Sequence, residues 1–386
     1  MRKRKIGIPL RGAVTVLFCA GILWTVSLLA SATSFADALD TVRSEVLPMA
    51  LIRRELGEPD DGAMSVQTAW LLRFSPILYG QRTAVTEVWS SELQTLPRED
   101  SEEHEGTTLS ESVRRTEPGG ALNFADNGVP SRTLRPSDPA GYTVAGRVYI
   151  NNASACALDA AMLTGDFAAK CGADGPQVLI VHTHGTEAYT MPAGEAYAPS
   201  DDHRTLEENK NMLRVGDEIA QVLTDMGLET LHDRGLYDYP NYSGAYNRSL
   251  AAVEEWREKY PSIVYVLDVH RDAVSDGAGN EYKLLCAENA NAAQLEMVLG
   301  TSGGGAEHPQ WRENLKLACA VQETLLGEYP TLMRPIVLRN SRYNQQVTPG
   351  ALLVEVGTAG NSLDEAIEAG RLFAKGFAET VLATRE

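Results

Sequence analysis

Val178-Leu179-Ile180-Val181-His182-Thr183-His184-Gly185-Thr186-Glu187 is the stretch that decides how the rest of the chain is read. Four β-branched or leucine side chains in a row, with no polar interruption, form the pattern of a strand buried on both faces, as in a parallel sheet. The run stops at two imidazoles, a glycine and a carboxylate. In open α/β sheets the ligand-binding side chains collect just past the C-terminal ends of the strands, so this strand end is a candidate site.

Working outward, the same alternation of strand and helix continues. Met212, Val215, Ile219, Val222 and Met226 recur at helical spacing and stop at Gly227, a glycine C-terminal signal. A short strand follows at Leu228 to Leu231. Leu250, Val253, Trp256 and Tyr260 mark a second helix ended by Pro261, and Ile263 to Val269 is a strongly apolar strand. Ala351 to Val356 is another buried strand, and Ser362 with Glu365 is a capping-box signature for a helix running toward Leu382. The expected fold from Gly146 onward is α/β, a mostly parallel sheet with helices on both faces.

Composition sets outer limits. A chain of 386 residues with 44% hydrophobic and 22% charged side chains is an ordinary globular chain, not a disordered one or a bundle of membrane spans. Its 34 Lys and Arg against 52 Asp and Glu give a net charge of -18, so no global field attracts nucleic acid. The 5 cysteines form no CxxC pair, which excludes a disulfide scaffold and a cysteine-rich zinc module.

The N-terminal part has its own organisation. Residues 1–11 are a basic tail carrying Arg2, Lys3, Arg4, Lys5 and Arg11. Residues 12–34 are apolar and long enough for a bilayer core of about 30 Å, with the basic flank on the cytoplasmic side and the remainder exported. Ala30-Ser31-Ala32 and Ser34-Phe35-Ala36 leave a cleaved signal peptide as the competing reading. Residues 35–97 have a mixed helical pattern suited to a juxtamembrane region. Residues 98–142, rich in Glu, Ser, Gly, Pro and Asp, read as an acidic flexible tether, and residues 143–386 as the catalytic domain.

Three strand ends carry chemistry: His182 to Glu187, Asp268-Val269-His270-Arg271-Asp272, and Glu355 inside the apolar run Leu352 to Val356. Two imidazoles and a carboxylate form the donor set of a catalytic zinc that keeps a position open for water, and a second carboxylate then serves as base. His184 and Glu187 form an H-x-x-E pair that His270 can approach from a neighbouring strand. Glu355 is costly to bury without a cation, a metal-bound water or an arginine such as Arg271 or Arg339 beside it. No G-x-S-x-G elbow appears, and the cysteines have no activating neighbours.

These motifs, together with Tyr246-Asn247-Arg248-Ser249, His308-Pro309-x-Trp311 and Arg342-Tyr343-Asn344-Gln345, occur in an order that resembles the stage II sporulation protein P family. The resemblance covers about Gly146 to the C-terminus. It implies a cell-wall hydrolase of endospore formers: an N-acetylmuramoyl-L-alanine amidase with an added endopeptidase activity, acting in forespore engulfment with the stage II sporulation proteins D and M. It also implies a zinc muramoyl-amidase-like domain, with His184 and His270 as metal ligands and Glu355 in the place of the essential glutamate. Glu187 is the expected third ligand, with Glu207 or Glu208 as alternatives. His182 is expected beside the catalytic centre, as a further ligand or a substrate-orienting group. Arg271, Arg342, Asn344 and Gln345 are expected to grip the peptide. The competing readings are an inactive membrane-tethered glycan-binding scaffold and a zinc carboxypeptidase acting on stem peptides.

Overall fold

The computed structural model describes residues 122–385 apart from 164, 173, 193, 277 and 278. The N-terminal tail, the apolar span at 12–34, the segment 35–97 and the first part of the tether lie outside the described residues. Among the described residues no helix is long and apolar enough to cross a membrane.

In chain order the elements are β1 (Ser131–Arg132), β2 (Thr143–Ala145), β3 (Val148–Asn152), β4 (Val178–Val181), β5 (Pro199–Asp201), β6 (Arg204–Thr205), α1 (Met212–Asp225) and β7 (Thr230–His232). They continue with α2 (Ala245–Lys259), β8 (Tyr265–Asp272), β9 (Lys283–Leu284), β10 (Leu295–Gly300), α3 (Trp311–Glu328), β11 (Ile336–Arg339), β12 (Gly350–Thr358) and α4 (Leu363–Leu382). The main sheet has the order β2-β3-β11-β10-β12-β8-β4-β7. Five of its contacts are parallel; β2 with β3 and β10 with β12 are antiparallel. The sheet is therefore mixed, two parallel blocks joined back to front through β10 and β12.

Strand alternation sends side chains to two different cores. Val178 and Ile180 of β4, Tyr265, Leu267 and Val269 of β8, and Leu352, Val354 and Val356 of β12 pack in the larger core with α1, α3 and α4. Leu179, Val181, Val266 and Ala351 face the other way and pack against Val253 and Trp256 of α2. Helices thus cover both faces, as β strands buried on both sides require.

The helix boundaries follow local chemistry. Asn211 caps α1 by accepting from the Leu213 N–H, and Ser362 and Glu365 close the expected capping box on α4. The two helices are tied together by Glu218, whose oxygens accept from Arg214 (2.6 Å) and from Arg371 Nε (2.8 Å). The strands β10 and β11 and the helix α3 were not foreseen from the sequence.

The described end of the tether is held by hydrogen bonds. From Leu122 it lies along the domain: Asn127 Nδ2 donates to the Gly360 carbonyl (2.9 Å), Thr133 Oγ1 to the Leu285 carbonyl (2.7 Å), and β1 pairs with β9. Leu134 and Gln294 exchange two further bonds. Polar side chains and backbone groups do this docking, so a low apolar content does not reveal it.

Burial raises the pKa of Glu218, but hydrogen bonds and charge from Arg371 and Arg214 overcome this and leave it below the usual value. A lowered folded pKa means that the carboxylate stabilises the fold above the ordinary value near 4.5 and stops doing so as pH falls through the folded value. Glu218→Gln is therefore expected to lower stability at pH 7 by about 1–3 kcal/mol. Urea midpoints measured at pH 7 and pH 3 should show the gap from the unsubstituted chain closing in acid.

Candidate metal centre

The site begins with register. In β8 and β12, His270 pairs with Glu355 and Asp268 with Leu353, while Val181 of β4 pairs with Asp268. Asp268, His270 and Glu355 therefore project to the same side of the sheet as Val181, the side covered by α2. The chain leaves β4 after Val181, and the Thr183 N–H donates to Asp268 Oδ1 (2.8 Å) while Thr183 Oγ1 donates to Oδ2 (2.7 Å). Those two bonds turn the backbone so that His184 and Glu187 come over His270.

Among the described residues, one group of histidine and acidic side chains could hold a metal ion: His184, Glu187 and His270, all buried, with donor atoms within 4.8 Å of one another. His184 Nδ1 lies 3.7 Å from Glu187 Oε1, and His270 Nδ1 lies 3.6 Å from Glu187 Oε2. Tetrahedral zinc with bonds of about 2.0–2.1 Å holds its donors roughly 3.4 Å apart, so these side chains, with donor atoms within 4.8 Å of one another, would draw closer together to close on such an ion. Glu355 Oε2 is buried without a hydrogen-bond partner. Such an oxygen is costly to leave unpaired and is matched by a donor arriving in the site. The donor set and the unsatisfied carboxylate fit a cation with a water beside it.

Charge around the group is asymmetric. Burial lowers the His184 pKa to about 4, despite the opposing pull of Glu187, so its nitrogens are free of an extra proton at neutral pH. Burial acts the same way on His270, but Asp268, with Nε2 2.9 Å from Oδ1, and Glu187 drive it well above the usual value. A divalent cation would take the place of that proton. Burial raises Glu187, yet Arg271, a hydrogen bond from His270 and the nearby His184 bring it well below the carboxylate range. Glu355 is pushed up to about 8, chiefly by burial, with Asp272, Glu187 and Glu296 adding to it and His270 opposing. Glu296 stands directly across from Glu355 in the β10–β12 register.

Several expected site residues do other work. His182 faces α1 instead of the metal group: its Nδ1 lies 2.7 Å from the Val269 carbonyl and its Nε2 lies 2.9 Å from His232 Nε2. Both nitrogens lie within hydrogen-bond distance of groups inside the fold. A Cβ on Gly216 of α1 would come within 2.4 Å of His182 Nε2, so only glycine allows this approach.

Arg271 spends its guanidinium on the Ala188 and His203 carbonyls (3.0 Å each). Gln345 bonds the Gly300 N–H (2.8 Å) and the Val298 carbonyl (2.8 Å), and Asn344 bonds the Tyr246 carbonyl (2.8 Å). The bonds of these three go mainly to backbone groups, with Asn344 also donating to Ser249 Oγ (3.1 Å), and side-chain type alone does not reveal them. Arg342 stays partly exposed and donates to the Glu307 carbonyl (3.3 Å). Glu207 and Glu208 pair with Lys210 and Arg234 outside the metal group.

Residues without an assigned role in the sequence reading complete the surroundings. Arg204 lies 3.6 Å from Glu187 Oε1 and also pairs with Asp238, which accepts from Thr186. Asp268 is the partner of His270. Tyr242 stacks on His184 with ring centroids 4.6 Å apart. Tyr246 lies near both imidazoles, 5.6 Å from His184 and 6.5 Å from His270.

The fold and site together define an α/β protein that gathers a His-Glu-His donor set beyond the strand ends of a mixed sheet, with a further carboxylate beside it. The chain belongs to the stage II sporulation protein P family, SpoIIP, whose model matches residues 84–378. It is 27% identical over 222 residues to the stage II sporulation protein P of Bacillus subtilis (strain 168), covering 53% of this chain and 51% of that one. The chain thus spans about half the length of this curated relative.

Solved structures similar to it include the N-acetylmuramoyl-L-alanine amidase AmiC2 of Nostoc punctiforme, with 16% identity and a TM-score of 0.31 over 55% of this chain and 98% of that one. Another is an N-acetylmuramoyl-L-alanine amidase of Clostridium difficile 630, with 16% identity and a TM-score of 0.33 over 55% of this chain and 97% of that one.

Asp268 is a partner of the ligand and not itself in the metal group, so its replacement tests the construction of the site. Asp268→Asn should weaken zinc binding about 10- to 100-fold while the chain stays folded. Competition with a chromophoric chelator measures this, and an unchanged affinity would remove Asp268 from the site.

Proposed function

We propose that this chain is a zinc-dependent peptidoglycan hydrolase that cleaves the amide between N-acetylmuramic acid and L-alanine, with an added endopeptidase activity on peptide cross-links, during engulfment of the forespore. The observation that carries the reading is the convergence of His184, Glu187 and His270 beside the unsatisfied Glu355 oxygen. Membership of the sporulation family supplies the biological setting.

His184, Glu187 and His270 would hold the metal. When bound, zinc polarises the scissile carbonyl and brings the pKa of a bound water toward about 7. Burial alone keeps Glu355 largely protonated near neutral pH; the positive charge of a cation held beside it would favour its carboxylate form, which takes the proton from the attacking water at Oε2 and returns it to the departing nitrogen. Asp268 keeps the His270 ring in place, and Arg204 and Arg271 keep Glu187 ionised. The Tyr242 ring stacks on the His184 ring, with centroids 4.6 Å apart.

The same reading places the domain outside the cytoplasm, anchored through residues 12–34, with the stage II sporulation proteins D and M as its working partners. The family's cell-wall setting also requires export, and the basic flank of the apolar segment gives the orientation.

Purified peptidoglycan and metal analysis test the proposal together. His184→Ala and His270→Ala should each lose bound zinc and peptide release. Glu355→Gln should keep the zinc and lose at least about 100-fold in release, the scale of a general base. Product masses should show free stem peptides beginning with L-alanine. Full release by Glu355→Gln would exclude Glu355 as the base, and activity without bound metal would exclude zinc.

A further inference from the structure

Tyr246 opens the motif Tyr246-Asn247-Arg248-Ser249, to which the catalytic reading gives no role. It sits in the first turn of α2, which starts after Gly244, whose φ of 80° lies in the left-handed region that glycine tolerates best. The Tyr246 ring lies nearly parallel to the His270 ring (15°, centroids 6.5 Å apart) and edge-on to the His184 ring (78°, 5.6 Å). One aromatic ring therefore faces both imidazoles of the metal group.

The position is fixed by a chain of hydrogen bonds. Asn344 Nδ2 donates to the Tyr246 carbonyl (2.8 Å) and to Ser249 Oγ (3.1 Å), Ser249 Oγ meets Thr183 Oγ1 (2.7 Å), and Thr183 bonds Asp268, the partner of His270. The Tyr343 ring braces Tyr246 from another side at 5.8 Å. The backbone of Tyr246 is thus tied to the same carboxylate that holds a metal ligand.

The phenol itself is uncommitted. Among the described residues no hydrogen bond engages its hydroxyl, although the charges of Asp268 and Glu355 act on it. A phenol carries its proton at neutral pH and is a donor. Around the same pair of imidazoles the site therefore presents the acceptor Glu355 Oε2, buried without a hydrogen-bond partner, and the Tyr246 O–H as a donor, while His270 Nε2 lies 2.9 Å from Asp268 Oδ1 without an aligned hydrogen bond. A carboxylate base and a hydroxyl donor are the two groups that addition of water to an amide needs.

We infer that Tyr246 is a catalytic residue whose hydroxyl donates a hydrogen bond to the carbonyl oxygen as negative charge builds there. The inference rests on the amide-hydrolase reading above. The water oxygen bonds to the carbonyl carbon while its proton passes to Glu355 Oε2, and the π pair moves to the carbonyl oxygen, which accepts the Tyr246 O–H. When the C–N bond breaks, that pair re-forms the carbonyl and Glu355 gives its proton to the departing nitrogen. Tyr246 keeps its own proton throughout, so no further reactant is needed. Donors aimed at developing charge act mainly on kcat.

Tyr246→Phe retains the ring and removes only the hydroxyl. In the full zinc-loaded chain, kcat on soluble muropeptide should fall about 100- to 1,000-fold with KM and zinc content unchanged. Affinity for a phosphinate mimic of the tetrahedral carbon, measured by calorimetry, should fall roughly in step, while affinity for zinc stays the same. Unchanged kcat and phosphinate affinity would overturn the inference, as would a kcat loss matched by loss of zinc, which would make Tyr246 a support for the ligands. If the unsubstituted chain releases no peptide, the hydrolase reading fails and Tyr246 with it; an active chain with an equally active Tyr246→Phe form overturns Tyr246 alone.

Discussion

The structure depends on the in-register parallel pairing of β4, β8 and β12. Glu355 meets His270 and Leu353 meets Asp268 across one ladder, and Val181 meets Asp268 across the other. Because side chains alternate with a period of two, a slip of one residue in either ladder would turn these groups into the apolar core against α1, α3 and α4. The buried apolar residues on the other face, among them Leu267, Val269, Val354 and Val356, prevent that slip. The same hydrophobic pattern that drives folding thus fixes the spacing of the polar groups.

A second layer of polar groups gives the site its rigidity. Asp268 binds the turn through Thr183 and lies against His270, Asn344 ties the start of α2 to Ser249, and Gln345 bonds β10 at two atoms. On the far face His182, His232 and Asp217 form a chain against α1, with Gly216 leaving the space. Buried networks of this kind stabilise only when their members are paired, and they then hold one arrangement. The Glu355 Oε2 atom, left outside this pairing, therefore marks where a ligand is expected.

The sequence disclosed the strands that end in the site because their apolar runs are short, continuous and bounded by histidine or acid. It pointed to His184, Glu187 and His270 as candidates because few side chains bind metals, and the structure brings the three together, two on the turn after β4 and one near the end of β8. Strand alternation alone would put His182 on the face of His184; the turn begun by the Thr183–Asp268 bonds separates them. The backbone bonds of Arg271, Asn344 and Gln345 are not legible in the sequence, because a polar side chain that bonds backbone looks the same there as one that binds a peptide. α3 was missed because buried Asn314 and Gln322 interrupt its apolar stripe, and β10 because Glu296 breaks its run.

Two imidazoles and one carboxylate, His184 and Glu187 from the turn after β4 and His270 from β8, share one zinc ion in this reading. Zinc-edge X-ray absorption on the full chain, loaded with one equivalent of metal, tests it directly. The expected spectrum has two imidazole nitrogens with oxygen donors at about 2.0–2.2 Å and no sulfur, and in His184→Ala either the zinc is lost or the metal that remains has one imidazole fewer. Sulfur ligation, an all-oxygen shell or a spectrum indifferent to that substitution would contradict it.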